Sequence, residues 1–98
     1  MNVFRNPDAV SVKRGEEFGI ALDVLSSGGY EWQVTDKLDF IALLKSEIKV
    51  SNAVGGESEQ ILHFRASEAG EGVLHLVRKR PWDSKPEKTL SIKIKAVK

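Results

Sequence analysis

The side chains of this sequence that could take part in catalysis or metal binding lack the companions that such chemistry requires. His63 and His75 are the two histidines of the chain, and two imidazoles without a third ligand make a poor zinc site, so we expect both to face outward from a sheet. Ser26 and Ser27 are not in the strand–turn–helix setting of a catalytic serine, and no triad is evident. The acidic residues show no spacing typical of a glycosidase. The sequence therefore predicts a protein that is not an enzyme and has no metal site or cofactor.

Three short segments have residue types that suit binding to another protein. The glycine pairs at 28–29 and 55–56 allow positive φ and close backbone approach, although each pair taken alone is equally typical of a plain hairpin turn. Arg80-Pro81-Trp82 is more informative, because proline fixes φ and removes a donor at the end of a strand. Tryptophan and arginine are the residues most enriched in binding hot spots. We therefore expect Trp82 to lie outside the core and to contact a partner.

The elements that position these segments are strands, because apolar residues recur at every second position. The clearest case is the segment 17–24, where Phe18, Ile20, Leu22 and Val24 alternate with small or polar residues. The spacing of Leu38, Ile41 and Leu44 also fits a helical turn, but we favour a strand there. Further strands are predicted at 9–13, 30–35, 38–51, 59–66, 72–80 and 89–97.

About seven to eight strands, separated by turns and without a clear helix, predict an all-β fold: an immunoglobulin-like antiparallel β-sandwich. A small closed barrel is the alternative. Trp32 then lies where such sandwiches keep a buried tryptophan, on the third strand. The 98 residues predict a single domain, in which residues 1–8 form a loose N-terminal segment.

The alternation of strand ends in such a sandwich brings three loops together. Residues 25–30, 52–57 and 80–86 occupy positions that gather at one end, as the binding loops of antibodies do. Three shaped loops at one end form a protruding edge, and such an edge suits a concave partner such as an enzyme cleft.

The composition excludes several other classes of function. With 41% hydrophobic residues, 30% charged residues and a net charge of +1, the chain is typical of a soluble globule with no general affinity for polyanions or membranes. It has no cysteine, so disulfides and thiolate sites are excluded. No apolar run resembles a membrane span or an export signal. The localisation is therefore unknown: we expect the cytoplasm, or the periplasm or extracellular space if a leader was removed.

The loop segments resemble the motifs of the chagasin-type inhibitors of papain-like cysteine peptidases, which are Asn-Pro-Thr-Thr-Gly-Tyr/Phe, Gly-x-Gly-Gly and Arg-Pro-Trp/Phe. The third motif is intact as Arg80-Pro81-Trp82, and the second reads Ala53-Val54-Gly55-Gly56, without its first glycine. The first, Leu25-Ser26-Ser27-Gly28-Gly29-Tyr30, keeps the closing glycine and aromatic residue but not Asn-Pro or the two threonines. The likeness extends from about residue 9 to the C-terminus.

The resemblance implies a reversible, non-covalent inhibitor whose loops occlude the cleft of a papain-like cysteine peptidase, of the same or a foreign organism. By position, one group of residues would cover the catalytic centre, namely Ser26, Ser27, Gly28, Gly29 and Tyr30. A second group would contact the flanks, namely Val54, Gly55, Gly56, Arg80, Pro81 and Trp82. Gly28 replaces a threonine that contacts the enzyme, so we expect weaker or differently targeted inhibition, since ordering a freer loop costs entropy.

Two other functions remain open on the sequence alone. A protein-binding or adhesion module without inhibitory activity is compatible with the same fold and with the altered first motif. Nucleic-acid binding through the basic residues near Trp82 is a weaker alternative, and we expect no nucleic-acid partner. We expect a monomer, although an exposed edge strand could still pair with another chain.

Overall fold

The computed structural model describes residues 2–24, 28–49 and 58–98, which form eight strands and no α-helix. The strands are β1 (Asn2–Arg5), β2 (Ala9–Lys13), β3 (Glu17–Val24), β4 (Glu31–Val34), β5 (Ile41–Lys49), β6 (Ser58–Ala66), β7 (Gly70–Lys79) and β8 (Lys88–Val97). They form two four-stranded sheets with the orders β1-β3-β6-β5 and β2-β8-β7-β4. The prediction of an all-β sandwich is confirmed.

The N-terminal residues differ from the expected loose segment, because β1 is a paired strand. It runs parallel to β3, with Val3 beside Gly19. A Cβ atom at Gly19 would lie 3.3 Å from Val3 Cγ2, so the absence of a side chain lets Val3 approach β3 closely. After Asn6, whose φ is 46°, the chain enters the second sheet, where β2 runs parallel to β8. The other four strand pairs are antiparallel.

The core lies between the sheets and consists of the apolar residues that alternate along the strands. In β3 these are Phe18, Ile20, Leu22 and Val24, as predicted, and Trp32 on β4 is also buried with 4% of its surface exposed. Burial of such side chains is the main source of folding free energy. The fold therefore places Trp32 in the core, directly beneath the end of the sandwich where β4 begins.

The described part of the segment 38–51 contains the favoured strand, as β5, but its beginning differs from the prediction, and residues 50 and 51 lie outside the described residues. Residues 38–40 form a turn closed by a hydrogen bond from Ile41 N to Leu38 O, at 3.2 Å. Phe40 turns into the core and packs where Gly70 leaves room, since a Cβ atom at Gly70 would lie 2.9 Å from the Phe40 ring. The register of β5 against β6 shifts between Leu43 and Lys45, which is a β-bulge. The helical spacing thus reflects a turn followed by a bulged strand.

The two histidines lie on the outer faces of the two sheets, as expected, but their surroundings differ. His63 is 7% exposed, and its Nε2 lies 2.7 Å from Glu47 Oε1. That contact, a hydrogen bond to His63, is the main reason that the pKa of Glu47 is below its ordinary value. His75 is more exposed, and its Nδ1 lies 3.1 Å from Ser91 Oγ. Within the described ranges, no group of three or more histidine, aspartate and glutamate residues could hold a metal ion.

Candidate protein-binding site

The strand pairing places the strand ends that border the predicted loops at one end of the sandwich. In the first sheet, Val24 at the end of β3 pairs with Ser58 at the start of β6. In the second sheet, Glu31 at the start of β4 pairs with Lys79 at the end of β7. The strand ends that border the three predicted loops therefore lie at this end of the sandwich. We call the described loop residues 28–30 and 80–83 the tip.

The structure brings together six of the eleven residues predicted to bind a peptidase. These six are Gly28, Gly29, Tyr30, Arg80, Pro81 and Trp82. The other five, namely Ser26, Ser27, Val54, Gly55 and Gly56, lie outside the described residues. The contacts of the first and third predicted loops with each other can thus be followed atom by atom.

Gln60 fixes the base of the tip by joining the two sheets. This fully buried side chain accepts a hydrogen bond from Trp32 N (2.7 Å) and donates one to Trp32 O (3.0 Å). It also donates to Ser46 Oγ at 2.9 Å. The amide therefore takes the place that a neighbouring strand would hold beside β4, and it satisfies buried polar groups that would otherwise be costly. The sequence gives little signal for this role, since Gln60 lies on a strand that otherwise alternates normally.

Arg78 covers Trp32 just below the tip. Its guanidinium carbon lies 5.5 Å from the centre of the indole ring, within the range of a cation–π contact. Glu87 holds it with two hydrogen bonds, from Arg78 Nε (2.6 Å) and Nη2 (3.0 Å). The hydrogen bond from Arg78 lowers the pKa of Glu87. The indole nitrogen donates to Asp23 O at 2.9 Å, so Trp32 is fixed on its face and at its edge.

Arg80 links the two described loops of the tip. Its guanidinium carbon lies 5.1 Å from the ring centre of Tyr30 and 5.4 Å from that of Trp82. Asp83 accepts two hydrogen bonds from this side chain, from Nε (3.0 Å) and Nη2 (3.1 Å), and a third from Arg80 N at 3.1 Å. Bidentate pairing of this kind fixes orientation as well as distance. Arg80 is thus held by its own chain and contacts both aromatic rings.

The same ion pair shifts both pKa values in the direction that keeps the charges in place. The side-chain hydrogen bond with Asp83 raises the pKa of Arg80 above its ordinary value. The hydrogen bond from Arg80 lowers the pKa of Asp83. Arg80 was expected from the sequence to contact a partner directly. The sequence reasoning missed Asp83, for which the available signal was an acidic residue three positions after the arginine in a proline-containing turn.

The glycines at 28 and 29 allow the close packing of the tip. Gly29 has a φ of 82°, in the left-handed region that favours glycine. A Cβ atom there would lie 3.0 Å from Trp82 Cη2, and one at Gly28 would lie 3.1 Å from the Tyr30 ring. Neither glycine is therefore part of a plain hairpin turn alone, because each lies against an aromatic ring.

The aromatic residues of the tip have different exposures. Tyr30 is half-buried and packs against the core, so it supports Arg80 from below. Trp82 is 69% exposed, which confirms that it lies outside the core, and Pro81 beside it is exposed as well. Among the described residues of the tip, this large exposed indole on a fixed turn is the most suitable anchor for a partner.

The chain matches a known protein family over most of its length. Residues 11–94 match the family described as "Chagasin family peptidase inhibitor I42", which is a family of inhibitors and not of enzymes. No curated protein sequence matches the chain significantly. None of the described segments contains a helix long and apolar enough to cross a membrane.

Solved structures share the whole fold at low sequence identity. The cysteine protease inhibitor EhICP2 from Entamoeba histolytica has a TM-score of 0.76 at 19% identity, and covers 97% of this chain and 94% of its own. Amebosin has a TM-score of 0.74 at 20% identity, with coverages of 96% and 95%. PbICP-C, solved in complex with falcipain-2, has a TM-score of 0.58 at 15% identity, with coverages of 98% and 90%.

Proposed function

Because this chain belongs to the chagasin family of peptidase inhibitors, we propose that it inhibits papain-like cysteine peptidases by placing its tip in the active-site cleft. Inhibition is reversible and non-covalent in this proposal. The observation that carries the proposal is the arrangement of Trp82, 69% exposed at the end of a sandwich, on a turn fixed by Arg80 and Asp83.

The target class is supported by the structural relatives. EhICP2 is a cysteine protease inhibitor, and PbICP-C was solved in complex with falcipain-2. These relatives share the sandwich that carries the tip. A cysteine peptidase is therefore the class of partner that we assign to this chain.

The two described loops have different roles in this proposal. Gly28, Gly29 and Tyr30, together with Ser26 and Ser27, lie over the catalytic cysteine and histidine of the peptidase. The flanks of the cleft are contacted on one side by Val54, Gly55 and Gly56 and on the other by the Pro81-Trp82 edge. Arg80 acts mainly by positioning, since its guanidinium is engaged by Asp83 and faces Tyr30 and Trp82.

Preorganisation is the physical basis for affinity at such a tip. Immobilising a side chain on binding costs about 0.5–1.5 kcal/mol, and that cost is smaller when the free protein already holds the bound geometry. The Arg80–Asp83 pair and the packing of Gly29 against Trp82 fix the third loop before any partner arrives. The indole can therefore bind a hydrophobic pocket beside the cleft with little further loss of freedom.

A titration of papain with the purified domain tests the proposal directly. We expect the rate of peptide hydrolysis to fall to zero in a dose-dependent and reversible manner, with restoration on dilution. Cleavage of the domain without loss of rate, or binding to papain with full retained activity, would contradict inhibition. The second of these results is the one that an adhesion module would give.

A further inference from the structure

The outer edge of β5 differs from the other strand edges of the described sandwich. The remaining edge strands, β1, β2 and β4, have four, five and four residues, whereas β5 has nine. The edge of β4 is also closed, because Gln60 binds both the N–H and the carbonyl of Trp32. No described segment pairs with the second edge of β5. Long uncovered edges are templates for pairing with another strand.

Large apolar side chains are exposed along this same strand. Leu43 and Leu44 are each 49% exposed, and Ile48 is 40% exposed. Leu43 is opposite the buried Phe64 and therefore lies on the core side of the sheet, where it lines a groove of about 690 Å³ between β4 and β5. This strand thus combines free backbone groups with apolar side chains that no described element covers.

The residue order of β5 is complementary to itself in an antiparallel register centred on Ser46. Cross-strand partners share a face, so a two-fold axis must pass through a residue of the strand. With the axis at Ser46, Lys45 lies opposite Glu47 of the second copy, and Leu44 lies opposite Ile48. An axis at Lys45 or at Glu47 instead places like charges directly opposite each other, which is destabilising. An axis at Ile48 also places opposite charges together, Glu47 against Lys49, but only residues 47–49 of the strand then overlap. Ser46, which lies further from the end of the strand, is therefore the favoured centre.

We propose that two copies of this chain associate through antiparallel pairing of their β5 strands about a two-fold axis at Ser46. The β1-β3-β6-β5 sheet of one copy and the same sheet of the other copy then form one continuous eight-stranded sheet. Because β5 ends at Lys49 beside the tip, the two tips point in opposite directions. Each copy keeps its tip free, so the dimer can bind two peptidase molecules, and the pairing does not depend on the proposed function.

The occupant of the edge is a second copy because the complementarity is internal to the strand. Each copy contributes both charges and both apolar residues, so all four side chains find partners across the axis. The bulge at Leu44 limits the regular pairing to a few residues, and such a small interface is weak and reversible. Pairing also covers the free edge of β5 in both copies, so association stops at the dimer and does not extend to a fibre.

Sedimentation equilibrium of the full chain tests the proposal. We expect the mass to rise above 10.9 kDa with increasing concentration and to approach twice that value by about 1 mM, which is the range of weak interfaces. Lys45→Glu should weaken association at least about tenfold, because it places two like charges at each end of the pairing. Lys93→Glu on the second sheet makes the same change in net charge and should leave association unaltered.

The double variant Lys45→Glu/Glu47→Lys provides the sharpest comparison, since it restores opposite charges across the axis and should restore association. A mass that stays at 10.9 kDa up to about 1 mM would overturn the proposal. So would equal association of the Lys45→Glu and Lys93→Glu variants, which decides the matter even where the double variant does not fold. Papain inhibition by all variants is expected to equal that of the wild type, so failure of the dimer is distinguishable from failure of the inhibitory function.

Discussion

Two arginine residues, two positions apart, perform the same chemistry in different surroundings. Arg78 stacks on Trp32 and is held by Glu87, and Arg80 stacks on Trp82 and is held by Asp83. The indole under Arg78 is buried in the core, whereas the indole beside Arg80 is largely exposed.

The difference shows that one kind of contact can stabilise the core in one place and hold an exposed side chain in position in another. Below the tip, arginine closes the core over a tryptophan that the sandwich needs. At the tip, arginine holds an exposed tryptophan that the core does not need. Loss of Arg78 should therefore reduce stability, and loss of the Arg80 unit should reduce affinity for the peptidase.

The largest expected loss of inhibition comes from replacing the exposed tryptophan. Trp82→Ala should weaken inhibition of papain by about 2 kcal/mol or more, which is the size of a binding hot spot. The inhibition constant measures the effect, and Val73→Ala, an exposed apolar residue on the second sheet, is the matched control. A loss below about 0.5 kcal/mol would place the anchor elsewhere on the surface.

The second prediction distinguishes the role of Arg78 in stability from the role of Arg80 in inhibition. Arg78→Ala should lower the free energy of unfolding by about 1–2 kcal/mol, because it uncovers Trp32 and removes a hydrogen-bonded ion pair. Arg80→Ala should leave the denaturant midpoint nearly unchanged while weakening inhibition. Equal changes in stability for the two variants, measured by urea titration, would remove the distinction between them.

The carboxylates that pair with these arginines, Asp83 and Glu87, allow the same comparison. Asp83→Ala frees Arg80 and the turn that carries Trp82, so binding must then order them, and inhibition should weaken roughly three- to tenfold. Glu87→Ala is the matched control, since it removes the carboxylate below the tip and should change the inhibition constant less than about twofold. An equal loss in both variants would show that the whole end of the sandwich acts as one unit.

A smaller effect is expected at Gly28, where the chain departs from the family motif. Gly28→Thr should tighten inhibition by a few-fold, because it restores a hydroxyl and reduces loop freedom. The new Cβ atom would lie 3.1 Å from the Tyr30 ring, so Gly28→Ala separates this crowding from the effect of the hydroxyl. Strong inhibition of papain that Gly28→Thr leaves unchanged would refute the hypothesis of a weakened first loop.

The smallest effect is expected on changing the pH. The folded pKa of Asp83 is depressed by Arg80, so the contribution of the pair is complete above the ordinary carboxyl pKa and is lost only as the pH falls through the depressed value. The ratio of inhibition constants for wild type and Asp83→Asn should therefore stay constant from about pH 7 to about pH 5. A ratio that changes across this range would assign the titration to another group.

Much of the fold follows from local alternation. The inward positions of β3 and the burial of Trp32 were predictable because a period of two leaves one face to bury. The strand character of residues 2–5 was not, because a four-residue edge strand carries too short a pattern. The turn at 38–40 mimicked helical spacing because Leu38 and Ile41 flank a hydrogen-bonded turn and not a helix.

The candidate site was predictable in part. Arg80-Pro81-Trp82 indicated an exposed tryptophan because a proline ends a strand locally, and this required no knowledge of the rest of the chain. The partners of Arg80 are a different matter. Tyr30 is 50 positions earlier in the chain, and its contact with the guanidinium exists only because β4 pairs with β7.

The sequence by itself determined the period of the strands, the turns between them, the absence of disulfides and the motifs that identify the family, since these depend on neighbouring residues. Only the tertiary structure decided that Gln60 joins the two sheets beneath the tip, that Gly29 packs on Trp82 and that Arg80 contacts both Tyr30 and Trp82. It also left the long edge of β5 without a partner among the described strands. Such contacts join residues distant in sequence, so they are fixed by strand register and sheet packing and leave little signal in local composition.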